Sequence, residues 1–242
     1  MKIRTITHRV HAASWVFAMA LIAVAFPFGI VGASAQGADI ATRVQFVHAG
    51  TDLGEVEIFL NETEELDEFA YGEVSDWIDV DPGSLRVTIT KDEAGFNTAV
   101  FDSAYPVPAG NDYFVVITDA LILSASFDTS SVTLQGSRAQ IVHASVDTPP
   151  VTVTASGNAV ALATELHFAG TSAPAPLPSG TYDLEVALAD TGEVVLTKPG
   201  VVIDPDRSYA LVLVGDPLDS DKPLDVIVLQ TELQEPPSTP VS

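Results

Sequence analysis

Two stretches of the chain alternate apolar and polar residues with a period of two. In "SLRVTIT", Leu85, Val87 and Ile89 alternate with Arg86, Thr88 and Thr90; in "TYDLEVAL", Tyr182, Leu184, Val186 and Leu188 fall on one face. That period predicts strands with one side on a core and the other toward water. Pro82-Gly83 and Pro178-Ser179-Gly180 lead into them with turn chemistry. "YFVVIT" (Tyr113–Thr118) and "YALVLV" (Tyr209–Val214) are apolar on both faces, which predicts central strands. No segment after Ala35 carries a helical stripe. "NETEELDEFA" (Asn61–Ala70) comes nearest, and it reads as an acidic loop or a single turn. Short strands punctuated by Pro, Gly and Asp predict an all-β fold of sandwich type.

The pattern is written twice. "RVQFVHAGTD" (Arg43–Asp52) returns as "RAQIVHASVD" (Arg138–Asp147), "PGSLRVTI" is answered by "PSGTYDLEV", and "AGNDYFVVIT" by "PDRSYALVLV", all at offsets of 95–98 residues. A duplicated unit of about 100 residues is a domain, since that length suffices for one sandwich core. The expected organisation is a signal peptide at 1–35, repeat 1 at 41–136, repeat 2 at 137–232 and a Pro-rich tail at 233–242. Only Gly136-Ser137 separates the repeats, so the domains are expected to touch with little freedom between them.

The leader changes the picture of where the protein works. Lys2, Arg4 and Arg9 precede an apolar run from Trp15 to Gly32, and Ala33-Ser34-Ala35 offers the small side chains of a signal-peptidase site. An uncleaved anchor is the alternative, but Pro27 and Gly29 break the end of the run. Export to the cell envelope or the extracellular medium is the expectation, with the mature chain beginning at Gln36. No second apolar span follows, and no Cys is present for lipid attachment or disulfides. The cores alone are therefore expected to stabilise the fold.

Net charge is −23, and without the leader 7 Lys/Arg stand against 33 Asp/Glu. Nucleic-acid binding needs a basic footprint, and an anionic membrane surface would be repelled, so neither is expected as a partner. Such a charge favours solubility.

His48 and His143 are the residues that chemistry would use first, because each is followed by an Asp at the same spacing (Asp52, Asp147). They could be metal ligands or His–Asp catalytic pairs. Alternation favours another role. Val44, Phe46 and His48 share a face, as do Ala139, Ile141 and His143, so each imidazole closes an apolar strand face. There it can bond a turn backbone or the Asp four residues on. Recurrence in both copies also suits a fold determinant. These four residues are read as structural repeat markers.

Nucleophile motifs are absent: there is no Cys and no Gly-x-Ser-x-Gly, and His167 beside Phe168 has no evident partner. Asp204 and Asp206, the Asp216/Asp219/Asp221 cluster, and Asp79 with Asp81 put hard oxygen ligands in loops and are the Ca²⁺ candidates, though no EF-hand pattern is present. Trp77 could stack on a sugar, or it could cover a strand edge or the seam between domains. Repeat 2 has no aromatic there ("TSAPAPLPSG"), which leaves a duplicated sugar platform unsupported. No catalytic residue, cofactor or metal is assigned.

Laid side by side, the repeats resemble the bacterial domain-of-unknown-function 4397 family. The matching residues are Val47-His48-Ala49 with Asp52, Tyr71-Gly72, Pro82-Gly83, and Tyr113 with Val115; in repeat 2 they are Val142-His143-Ala144-Ser145 with Asp147 and Pro149, Gly180-Thr181-Tyr182, and Tyr209 with Gly215. The resemblance implies two tandem immunoglobulin-like β-sandwich domains in a secreted or envelope protein, and it brings no catalytic residues. The functional expectation is a non-enzymatic interaction or structural module with an unknown extracellular protein or glycan as partner. A calcium-dependent or carbohydrate-binding adhesin and a hydrolase are the alternatives. The acidic stretch Glu62–Glu68 and the loop Asp216–Lys222 are the expected contact surfaces.

Overall fold

Alternation becomes strands wherever it was read, and in both repeats it does so in the same order. The computed structural model describes residues 41–91, 98–127, 136–156 and 161–232; the expected signal peptide and Pro-rich tail lie outside them. Repeat 1 runs through β1 (Arg43–His48), β2 (Val56–Leu60), β3 (Thr63–Phe69), β4 (Ile78–Asp79), β5 (Gly83–Lys91), β6 (Phe101–Val107), β7 (Asp112–Ile117) and β8 (Ile122–Ser126). Repeat 2 follows with β9 (Ser137–His143), β10 (Val151–Ala155), β11 (Ala161–Leu166), β12 (Ala175–Leu177), β13 (Gly180–Leu188), β14 (Val194–Ile203), β15 (Arg207–Val214) and β16 (Asp225–Glu232).

Each repeat folds into two four-stranded sheets. Repeat 1 has the orders β4-β1-β7-β8 and β3-β2-β5-β6; repeat 2 has β12-β9-β15-β16 and β11-β10-β13-β14, the same orders shifted by eight strands. The opening strand of each repeat lies parallel to the seventh, with His48 opposite Ile117 and His143 opposite Leu213. The expectation of two tandem β-sandwiches related by duplication holds. They are immunoglobulin-like in architecture, with an eight-strand order of their own.

The inner faces make two separate cores. Val44, Phe46, Val115 and Ile117 meet Val56, Ile58, Val87 and Ile89 in repeat 1; Ala139, Ile141, Leu211 and Leu213 meet Val151, Val153, Leu184 and Val186 in repeat 2. A third cluster lies between the sandwiches. Val47, Ala49, Phe114, Val116 and Phe127 pack with Val142, Ala144, Ala210, Val212 and Leu229, and all are buried. The layers therefore run outer sheet, inner sheet, inner sheet, outer sheet. This explains the strands that are apolar on both faces: β7 and β15 turn one side to their own core and the other to the neighbouring sandwich.

The structure differs from the expectation of an acidic loop or turn over Asn61–Ala70: Thr63–Phe69 is the edge strand β3, paired to β2 and entered through Asn61 and Glu62 with φ of 48° and 72°. Its acids hide the strand because only Phe69 at its end is buried. Charge on an exposed edge also blocks pairing with other chains.

Candidate functional site

The two histidines stand at equivalent strand ends, fully buried, and their bonds are to turns rather than to the acids that follow them. The N–H of Gly50 donates to His48 Nδ1 (3.2 Å), so the ring proton sits on Nε2, which donates to the Gly54 carbonyl (2.8 Å). The imidazole thus closes the turn from β1 into β2 and is neutral. Burial, the largest influence, lowers its pKa below the ordinary value. His143 is held more loosely. Its Nε2 faces the Pro149 carbonyl at 3.4 Å, its Nδ1 has no partner, and burial again lowers the pKa. Phe69 and Phe168 stand against the two rings at centroid distances of 6.1 and 6.4 Å.

Asp52 and Asp147 are exposed, and no hydrogen bond joins either to its histidine. The residue that organises the first turn is Asp119, just beyond β7, which sequence reasoning missed. It accepts from the Thr51 N–H (2.8 Å), the Thr51 hydroxyl (3.0 Å) and the Asp52 N–H (2.8 Å). Repeat 2 solves the same problem differently: Ser145 Oγ donates to the Gly215 carbonyl (2.5 Å) and lies 2.6 Å from Thr148 Oγ1. The only local signal for Asp119 was its place in a Thr-Asp-Ala turn after a central strand.

At this end the two repeats are tied together. Lys222 Nζ donates to the Thr51 carbonyl of repeat 1 and lies 5.4 Å from the centroid of the Tyr71 ring. Burial, with Asp225, Asp219 and Asp119 nearby, pushes the Tyr71 hydroxyl above its ordinary pKa. The loop carrying Lys222 is braced by its own hydrogen bonds. Asp216 Oδ1 accepts from the Leu218 N–H (2.7 Å), Asp219 Oδ1 accepts from the Asp221 N–H (2.8 Å), and the Asp216 N–H donates to the Lys222 carbonyl (2.9 Å). Gly215, at φ 96°, lets Pro223 close the loop base, where a Cβ would lie 2.2 Å from the Pro223 carbonyl oxygen. On this braced loop Leu218 is 89 % exposed.

The far end of the seam carries a second tie. Arg43 grips Asp112 with two hydrogen bonds (2.9 and 2.6 Å), and the Thr231 hydroxyl of repeat 2 donates to the same carboxylate. The guanidinium lies 4.7 Å above Trp77, which packs on Phe127 at 5.8 Å. Trp77 therefore belongs to the seam rather than to a sugar platform.

The calcium candidates are scattered. Asp216 and Asp219 spend carboxylate oxygens on their own loop, Asp204 contributes its backbone to Tyr209 and Ser137, and Asp206 sits in a turn with φ 57°. Among the described residues no three His, Asp or Glu converge so as to hold a metal ion. His167 is exposed. An open groove of about 420 Å³ on repeat 2 is lined by Pro149, Pro150, Thr152, Glu165 and Asp190 among others, and brings neither a histidine nor a cation. Among the described residues no helix is long and apolar enough to cross a membrane.

No curated protein matches the chain. A profile of one family, described as a domain of unknown function (DUF4397), matches it over residues 42–140 and again over 137–242. Those two matches fall on the two sandwiches with their paired buried histidines. The chain belongs to the DUF4397 family and carries two tandem copies of its domain.

Proposed function

We propose that the protein is an exported, non-enzymatic interaction module that contacts its partner through the loops at the histidine end of the sandwiches. The basic and apolar leader with its Ala-Ser-Ala site supports export, and the strongly acidic composition suits a protein released from the cell. The observation that carries the contact surface is Leu218. It is 89 % exposed on a loop that is braced by its own aspartates, by Gly215 against Pro223 and by Lys222 across the seam. A side chain held out by a braced loop loses little freedom on binding, which is the condition for an efficient anchor. Acids around it favour a partner with a basic rim around an apolar pocket. The buried histidines hold these loops in place and take no part in contact.

A photo-crosslinking residue at position 218, and another at Val202 on the outer edge strand β14, test this on intact cells of the producing strain. Position 218 should capture a discrete partner that unlabelled protein competes away and that Leu218→Ser protein does not compete. Capture at Val202 instead, or competition by the Leu218→Ser form equal to that of the unaltered protein, would refute the assignment.

A further inference from the structure

The open groove on repeat 2 has a lining fixed by the fold around it. Thr152 stands on the outer face of β10, because Val151 and Val153 on either side of it are in the core. Opposite it the ladder slips. Val151 pairs with Leu166 and Val153 with Ala163, so Thr164 and Glu165 together face Thr152 in a β-bulge. Glu165 sits there at φ 50°, a left-handed backbone that a residue with a side chain adopts only when its surroundings impose it. The remaining walls are tied down. The Ala189 N–H donates to the Pro150 carbonyl (2.8 Å), the Pro149 carbonyl faces His143 Nε2 at 3.4 Å, and both prolines have fixed φ angles. Repeat 1 is lined differently at the same place. Gly54 and Glu55 stand for the prolines and Glu57 for Thr152, and the Glu57 carboxylate accepts from the Thr90 hydroxyl (2.8 Å).

We infer that this groove binds the guanidinium of an arginine side chain presented by a partner polypeptide. Glu165 and Asp190 both line it, and among the described residues neither carboxylate is engaged in a hydrogen bond or ion pair. Asp216 and Asp219, by contrast, accept from their own loop. A carboxylate only accepts, so the complementary ligand is a positively charged donor, and a net charge of −23 draws such a ligand in. A guanidinium suits the whole lining. Its fork of N–H donors serves the carboxylates together with the Thr152 and Thr164 hydroxyls, while its apolar stem lies along Pro149 and Pro150. The alternatives fit less well: a metal ion would find no third acidic or histidine ligand among the described residues, and a sugar would find no aromatic ring in the lining. The volume of about 420 Å³ falls in the range of ligand clefts, about 300–1,000 Å³. The groove is a second site, separate from the contact at Leu218.

Titration of the isotope-labelled full chain with acetyl-Gly-Arg-Gly-amide, followed by NMR, tests this. The backbone amides of Thr152, Thr164, Glu165 and Asp190 should shift together and saturate with a Kd of about 1–10 mM, the scale of a single side chain. The same peptide with neutral citrulline in place of arginine should leave them unmoved. In Glu165→Gln/Asp190→Asn protein, altered only at exposed residues, binding should weaken about tenfold or more. Shifts spread evenly over exposed acids such as those of β3, an equal response to the citrulline peptide, or unchanged affinity in the double variant would each overturn the proposal. If the double variant fails to fold, Asp190→Asn alone replaces it. It should bind about threefold more weakly, and unchanged affinity would overturn the proposal. Capture at position 218 is a separate measurement, so failure at one site leaves the other standing.

Discussion

Replacing His48 and His143 separately by Ala should not cost the same, although the two residues are sequence equivalents. His48 satisfies two turn groups, and Gly50, whose N–H donates to it, is buried. Removing the ring leaves that N–H unpaired at about 1–2 kcal/mol. The Gly54 carbonyl lies at an exposed residue and can turn to water. Lost packing against Phe69 adds roughly 1–2 kcal/mol, giving about 3 kcal/mol for His48→Ala. The bond from His143 to the Pro149 carbonyl is long at 3.4 Å, with the Thr148 backbone also near the ring, and its Nδ1 is unpartnered, so its removal also relieves an unsatisfied atom. Only the packing loss remains in full, about 1–1.5 kcal/mol. Urea unfolding of the full chain followed by circular dichroism should show a lower midpoint for His48→Ala than for His143→Ala at equal slope. The gap should be about 1.5–2 kcal/mol. Equal midpoints, or a greater loss for His143→Ala, would refute the hydrogen-bond argument.

Acid should weaken the fold through the same two rings. Both are neutral when folded with lowered pKa values, while unfolded histidines titrate near the ordinary 6.5. The unfolded chain thus binds protons that the folded chain does not, and stability is lost as pH falls below about 6.5, by up to about tenfold in the folding constant per His per pH unit. A His48→Gln/His143→Gln protein should lose less stability between pH 7.5 and 5.5 than the unaltered protein; an equal loss would count against neutral burial. Gly215→Ala should lower stability by about 2–3 kcal/mol, combining strain at φ 96° with the Pro223 clash, whereas Gly192→Ala, at φ 72° in open space, should cost about 1 kcal/mol. Thermal melts in the opposite order would contradict the bracing of the Asp216–Lys222 loop. Arg43→Ala strands the buried Asp112 carboxylate and should cost about 2–4 kcal/mol, while Arg86→Ala, on the exposed face beside Asp102 and Glu62, should leave the urea midpoint unchanged.

Much of the fold was legible because strand periodicity and duplication are local properties. Val44, Phe46 and His48 declared one face of β1 without reference to anything distant, and the echo at Arg138–Asp147 gave the second sandwich. β3 was not legible, since an edge strand is held by its pairing to β2 and shows little burial of its own. Nor could composition say why Tyr113–Thr118 and Tyr209–Val214 are apolar on both sides. A sheet neighbour and a packed second sandwich leave the same apolar pattern, and only the tertiary structure shows that the outer faces of these strands meet each other. The same holds for the ties at the loop end. Asp119 clamps Thr51 from 68 positions away, and Lys222 crosses 171 positions to reach it. Such contacts form between side chains that alternation and spacing treat as unrelated, because folding, not sequence order, sets which surfaces are desolvated together.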